Sequence, residues 1–306
     1  MKTPYILFPI LIIIVFIVFF AMNNNNVSPT NTSKIHVTTS FYPLYFFANE
    51  IAGGLATVTN ITPAGIEPHE YEPTAKDMIS IENSDLLILN GGNLETWGTR
   101  ILKNINTEKT DVIIAEEHID NLHKTEGKEN IIDPHFWLSP PLAKQIAKAI
   151  ADGLIKTDPE NAPLYQKNSE ALQTKLAILD TEYTRGLRIC NSRNIVTSHS
   201  AFGYLAKAYN LLEIPISGLS PDAEPSTRQL VNISKFAKDS HTKYIFFESL
   251  VSPELSETIA TEIGAQTLVL NPIEGLTNDE IRDGKNYITE MKNNLTNLKI
   301  ALQCTQ

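Results

Sequence analysis

Short β-branched or apolar runs alternate with longer stretches whose apolar residues return every three or four positions, and this pattern covers most of the chain. In the first half, residues 35–39, 58–61, 85–89 and 112–115 predict strands; in the second half, residues 195–198, 213–217, 244–247 and 267–270 do so. Between them, residues 45–51, 75–83, 142–155, 201–209, 227–238, 254–264 and 278–298 predict helices. Strand alternating with helix implies an α/β fold with parallel sheets covered on both faces.

One segment breaks the alternation. Asp158-Pro159-Glu160 offers an N-cap, a proline at the first helical position and an acidic first turn. Tyr165, Leu172, Leu176, Leu179, Tyr183 and Leu187 then recur at three- and four-residue steps or their sums, as one helix face requires. Pro163 is awkward in that first turn and is expected to delay the regular helix. A helix reaching residue 187 would be roughly 40 Å long at 1.5 Å per residue. The pattern predicts two (β/α) lobes, residues 34–157 and 189–306, joined by one long rigid connector helix over 158–188. The lobes share an architecture without a residue-level repeat.

The N-terminus carries an address. Residues 5–22 are apolar apart from the interruption at Pro9, just long enough to span a hydrocarbon core as a helix. Phe19-Phe20-Ala21-Met22 is a poor small-x-small cleavage site, so an uncleaved anchor is favoured over a removed signal peptide. No cysteine follows the stretch for lipid attachment. Residues 23–33, rich in Asn, Ser, Thr and Pro, read as a tether, making 1–33 a signal or anchor segment. The remainder is expected outside the cytoplasmic membrane, where Cys190 and Cys304 are expected to pair as a disulfide. Within the 306 residues, 42% are hydrophobic and 20% charged, which is a globular balance. A net charge of −10 with scattered Lys and Arg excludes a nucleic-acid binder.

Against this background three histidines stand out. His69, His135 and His199 each occupy a short polar or turn-like segment after an apolar run, and Glu274 in Asn271-Pro272-Ile273-Glu274-Gly275 lies similarly. The gaps of 66, 64 and 75 residues suit no local metal loop. They suit ligands delivered singly from the ends of separate strands, where parallel sheets bind their ligands. Prolines on both sides stiffen the His69 loop, and Asp133 is placed to orient the His135 region. Glu248, ending a predicted strand, rivals Glu274. Taken singly, His36, His118, His123 and His241 read as ordinary surface or hydrogen-bonded histidines, and Phe41, Phe136 and Phe202 as core that could also wall the site.

The stretches Thr39-Ser40-Phe41-Tyr42-Pro43-Leu44, Gly65 through Pro73, Asp133 through Pro140, His199 through Leu205, Gly218 through Ser226 and Asn271 through Leu276 occur in the order found in one family. Over about residues 34 to 300 the chain resembles the solute-binding proteins of metal-ion ABC transporters, most closely the zinc-binding branch. The resemblance implies two lobes joined by one long helix, metal ligands at His69, His135, His199 and Glu274, a permease partner in the membrane, and no catalysis. A monomer is expected. Manganese relatives usually carry a carboxylate where His199 stands. Three imidazoles and one carboxylate suit tetrahedral Zn²⁺, whereas Mn²⁺ prefers more oxygen and is the alternative cargo, with iron. The region 116–130 departs from the family pattern, holding only His118 and His123 where many zinc members carry a long His-rich loop. A zinc hydrolase is the rival class: it would keep three histidines plus water, with Glu70 or Glu248 as base. An adhesin-like surface role is compatible with metal binding.

Overall fold

The computed structural model describes residues 34–120, 122 and 132–305. The apolar stretch 5–22, the tether and His123 lie outside the described residues. Residues Ile35–Gln306 form one compact unit.

The first lobe runs β1 (His36–Thr39), α1 (Tyr42–Ala52), β2 (Thr57–Asn60), α2 (Ala75–Glu82), β3 (Leu86–Leu89), α3 (Gly98–Asn104), β4 (Asp111–Ile114) and α4 (Pro140–Thr157). After α5 (Ala162–Gly186), the second lobe runs β5 (Asn194–Thr197), α6 (Gly203–Ala208), β6 (Leu212–Pro215), α7 (Thr227–Asp239), β7 (Tyr244–Phe247), α8 (Glu254–Ile263), β8 (Gln266–Val269), α9 (Asn278–Arg282) and α10 (Tyr287–Ala301). Each lobe holds a four-stranded sheet, ordered β2-β1-β3-β4 and β6-β5-β7-β8, with every pairing parallel. The predicted α/β class and two-lobed architecture hold, and all eight strands lie within two residues of their expected limits.

Several helices differ from expectation. Residues 278–298 form two helices because Gly284 turns to φ 80° and ends α9, while the Asn286 side chain accepts from Thr289 N–H and starts α10. Helix α3 was not expected: it is seven residues long, lacks a side-chain cap, and buries only Gly98 and Ile101, which leaves little periodic signal. Helices α1 and α4 begin two or three residues early, with Pro43 and Pro140 in their first turns.

The connector behaves as its sequence dictates. A 3₁₀ turn, Pro159–Asn161, precedes α5, whose second residue is Pro163. Its 25 residues reach about 37 Å at 1.5 Å per residue. Tyr165, Leu172, Leu176, Leu179 and Tyr183 are buried along one face. The Tyr183 hydroxyl donates to the Met291 carbonyl on α10, and Asn168 Nδ2 donates to the Ile51 carbonyl ending α1. One hydrophobic cluster therefore runs from Val37 and Leu86 through α5 to Phe246 and Leu270, crossing both lobes. Cys190 and Cys304 are joined in a disulfide, fastening the C-terminal tail beside the start of the second lobe.

Candidate metal centre

His69 sits in the loop after β2. Its backbone N–H donates to the Glu67 carboxylate at 2.9 Å. Gly65, at φ 80°, lets the loop turn so that its N–H meets the Leu276 carbonyl of the other lobe at 3.0 Å. At the far end a capping box between Thr74 and Asp77, with the Tyr71 hydroxyl also on Asp77, fixes the entry to α2.

His135 precedes a 3₁₀ turn, Phe136–Leu138, and is fully buried. Asp133 takes both its backbone N–H, at 3.0 Å, and its Nδ1, at 2.7 Å. The segment is clamped to the second lobe by Trp137 Nε1 on the Pro272 carbonyl, Tyr287 on the Trp137 carbonyl and Tyr204 on the Asp133 carbonyl. On its own lobe, Asn90 Nδ2 donates to the Pro134 carbonyl. The neighbouring Glu95 carboxylate holds the Asn90 and Gly91 N–H groups, and burial raises its pKa.

His199 follows β5. Its Nδ1 lies 2.5 Å from Glu248 Oε1, which also accepts from the Ser198 hydroxyl. Glu248 is thus not among the converging donors: it holds the far nitrogen of His199. Behind it, Glu213 accepts from Phe202 N–H and the Thr197 hydroxyl, and burial pushes its pKa to about 7. Since a carboxylate only accepts, Asp133 and Glu248 put hydrogen on Nδ1 of their histidines and aim Nε2 at the centre.

Glu274 closes the set from the loop after β8. Its Oε1 lies 3.3 Å from His69 Nε2, 3.2 Å from His135 Nε2 and 3.5 Å from His199 Nε2. His135 Nε2 is 3.2 Å from His69 Nε2 and 3.3 Å from His199 Nε2. All four residues offer one donor atom within 4.8 Å of the others. For ligands 2.0–2.1 Å from a tetrahedral ion, simple geometry puts neighbouring donors about 3.3–3.4 Å apart. The space fits an ion of that size.

Its electrostatics favour a cation. Burial opposes charge on His199 and His135, yet Glu248 and Glu274 hold the first pKa well above the histidine range, and Asp133 and Glu274 raise the second. Burial would likewise raise Glu274, but His199, His135 and His69 hold it well below the usual carboxylate range. Glu67 complements it. Burial, then the Glu274 charge, push Glu67 to about 10. Counted as two carboxylates, Glu67 and Glu274 each leave Oε2 buried without a partner. A proton on Glu67 donated to Glu274 satisfies both.

Of the remaining expectations, Phe41, Phe136 and Phe202 belong to the main core, with Trp137 between Phe41 and His135. His36, His118, His241 and Glu70 are exposed and outside the cluster. Glu67, Glu95 and Glu213 had no assigned role. Glu67 alone carried a signal, standing two residues before His69.

The family described as zinc-uptake complex component A, periplasmic (ZnuA), matches residues 37–301. The chain belongs to this family. ZnuA proteins are solute-binding components of zinc ABC transporters: they work outside the cytoplasmic membrane, deliver metal to a permease and catalyse no reaction. The high-affinity zinc uptake system protein ZnuA of Bacillus subtilis is 39% identical over 280 residues, 88% of each chain. The zinc-binding lipoprotein AdcA of Streptococcus pneumoniae is also 39% identical, across 87% of this chain and 55% of that longer protein. Among solved structures, the Zn(II)-bound ZnuA-like domain of that AdcA matches with a TM-score of 0.77 at 39% identity, covering 88% of this chain and 99% of that one. The laminin-binding protein of Streptococcus agalactiae, described as a bifunctional adhesin and metal transporter, matches with a TM-score of 0.79 at 34% identity over the same shares.

Proposed function

We propose that this chain captures Zn²⁺ as cargo between its lobes, ligating it through Nε2 of His69, His135 and His199 and Oε1 of Glu274, and passes it to its permease. The observation that carries the reading is the set of donor separations of 3.2–3.5 Å around one buried point. Three imidazoles and a single carboxylate favour zinc over manganese. A fourth protein ligand closes the shell, as a carrier needs, whereas a hydrolase keeps that corner for water.

All four ligands come from one chain, so the binding unit is a monomer. Its lobes span residues 34–157 and 189–306 on either side of the connector at 158–188, and residues 5–22 tether it to the outer face of the membrane. Elemental analysis of the purified full-length chain, followed by competitive metal titration, tests the cargo. One zinc per chain, retained against excess manganese, is expected. Isolation with stoichiometric manganese or iron, or no zinc bound after loading, overturns the reading.

A further inference from the structure

The turn that delivers Glu274 is strained. Ile273 adopts φ 60°, a left-handed backbone that a β-branched side chain rarely takes, and its side chain is fully buried. The other non-glycine residues with positive φ among the described residues are Asn93, Asn210, His241 and Gln303, all polar and unbranched at Cβ. Such a conformation persists only where its surroundings over-determine it.

Those surroundings lead to one side chain. Ile273 N–H donates to Asn271 Oδ1 at 2.7 Å. Asn271 is gripped at both backbone groups by Asn294 of α10: its N–H donates to Asn294 Oδ1 at 2.8 Å, and its carbonyl accepts from Asn294 Nδ2 at 2.7 Å. Asn271 Nδ2 also reaches the Ser249 hydroxyl, beside the Glu248 that holds His199. Asn271 and Asn294 are 2% and 1% exposed, so water cannot readily take over either bond. Helix α10 carries its own internal comparison. Asn297, one turn on, donates to the Val269 carbonyl on β8 at 2.8 Å and does not touch the turn.

We propose that Asn294 is a positioning residue for zinc capture: through Asn271 it holds the strained turn at Ile273 in the conformation that aims the Glu274 carboxylate at the three imidazoles. The inference rests on reading Glu274 as a ligand. An amide is suited to the task, because its rigid donor and acceptor match the carbonyl and N–H of a single residue. A loop bonded only through its own atoms could relax at Ile273 and turn the carboxylate away.

Zinc affinity is measured on the full-length chain by competition with a chromophoric chelator, for Asn294→Ala, Asn297→Ala, Glu274→Ala and the Glu274→Ala/Asn294→Ala pair. Asn294→Ala is expected to weaken zinc about 10-fold or more, the scale set by outer partners of metal ligands. Asn297→Ala, which gives up a half-buried side-chain bond from the same helix to β8, should leave affinity within about twofold. On the Glu274→Ala background, Asn294→Ala should add nothing, because its effect passes through the missing carboxylate. A large loss in Glu274→Ala with native affinity in Asn294→Ala sinks this inference alone, as does an undiminished effect of Asn294→Ala on the Glu274→Ala background. Native affinity in Glu274→Ala sinks the ligand assignment and this inference with it. If Asn294→Ala does not fold, Asn294→Asp keeps the acceptor and surrenders only the donor. It should still weaken zinc several-fold, and native affinity there overturns the proposal.

Discussion

At the scale of single residues, the centre is governed by what stands behind each imidazole. Glu248 fixes Nδ1 of His199, so Glu248→Gln, which keeps an acceptor but removes a buried charge, is expected to weaken zinc about 10–100-fold. A competition titration showing native affinity would refute that role. The histidine shifts also set a pH dependence. His135 and His199 have raised folded pKa values, so their contribution to stability without metal is complete below the unfolded value of about 6.5 and fades as pH rises through the folded values. Glu67, raised to about 10, acts in the same direction from about pH 4.5 upward. Glu274, held low, contributes above about pH 4.5 and loses that contribution as pH falls through its folded value. The metal-free site is thus most stabilising near about pH 4.5 and loses stability as pH rises, first through Glu67 and above about pH 6.5 through the histidines as well. Zinc needs unprotonated imidazoles, so its affinity rises with pH and keeps rising above neutrality because His199 releases its proton late. Thermal unfolding with and without zinc, from about pH 5.5 to 8.5, should show the zinc-induced gain widening with pH. A gain that is flat or shrinks would contradict the electrostatic account. His69, His199 and Glu274 were legible in the sequence because each lies in the loop after a strand, and His135 because it stands in a turn-like segment just before a helix. The buried carboxyls of Glu95 and Glu213 were not: Glu95 holds backbone N–H groups, which no residue type marks, and the partners of Glu213 lie on other segments.

At the scale of elements, strands were legible almost to the residue because every strand is four residues long and bounded by turn chemistry. Connector α5 was legible from its periodic buried face. The split of α9 from α10 was marked in the sequence by Gly284 and Asn286, but the apolar period on either side runs through the break and hides it. That break matters because it frees α10 to lie against β8 and the Glu274 turn, with its C-terminal end fastened through Cys304. Cys190 and Cys304 enclose a separation of 114 residues. A loop of that size restricts the unfolded chain by about 4–5 kcal/mol on the chain-entropy estimate, and loss of native disulfides costs about 2–5 kcal/mol in practice. Cys190→Ser/Cys304→Ser should therefore unfold at clearly lower denaturant concentration. Zinc affinity should stay within about twofold, because Asn294 lies well inside α10 and is held from both sides. An unchanged unfolding midpoint would mean that the bond constrains little, and a collapse of affinity would mean that the tail shapes the site.

At the scale of the whole molecule, the question is how two lobes that share one ion can admit and release it. In hinged two-lobed binding proteins, a few residues at the crossing absorb the rotation. Here the crossing is a helix of 25 residues packed along its length by α1, α4 and α10, and the principal core is continuous from β1 to β8. Three side-chain hydrogen bonds also pin the segment at 133–138 to the second lobe. Opening by rotation would break those bonds and expose core faces that pack at crystal-like density, which resists gradual deformation. Zinc should accordingly leave the envelope of the molecule unchanged while stabilising it by mass action, by about 2.7 kcal/mol at a free concentration 100 times the Kd. Small-angle scattering of the full-length chain with and without zinc is expected to give superimposable curves, alongside a higher unfolding temperature with zinc. A marked compaction on adding zinc would show that the lobes swing about α5, and that the connector is a hinge after all.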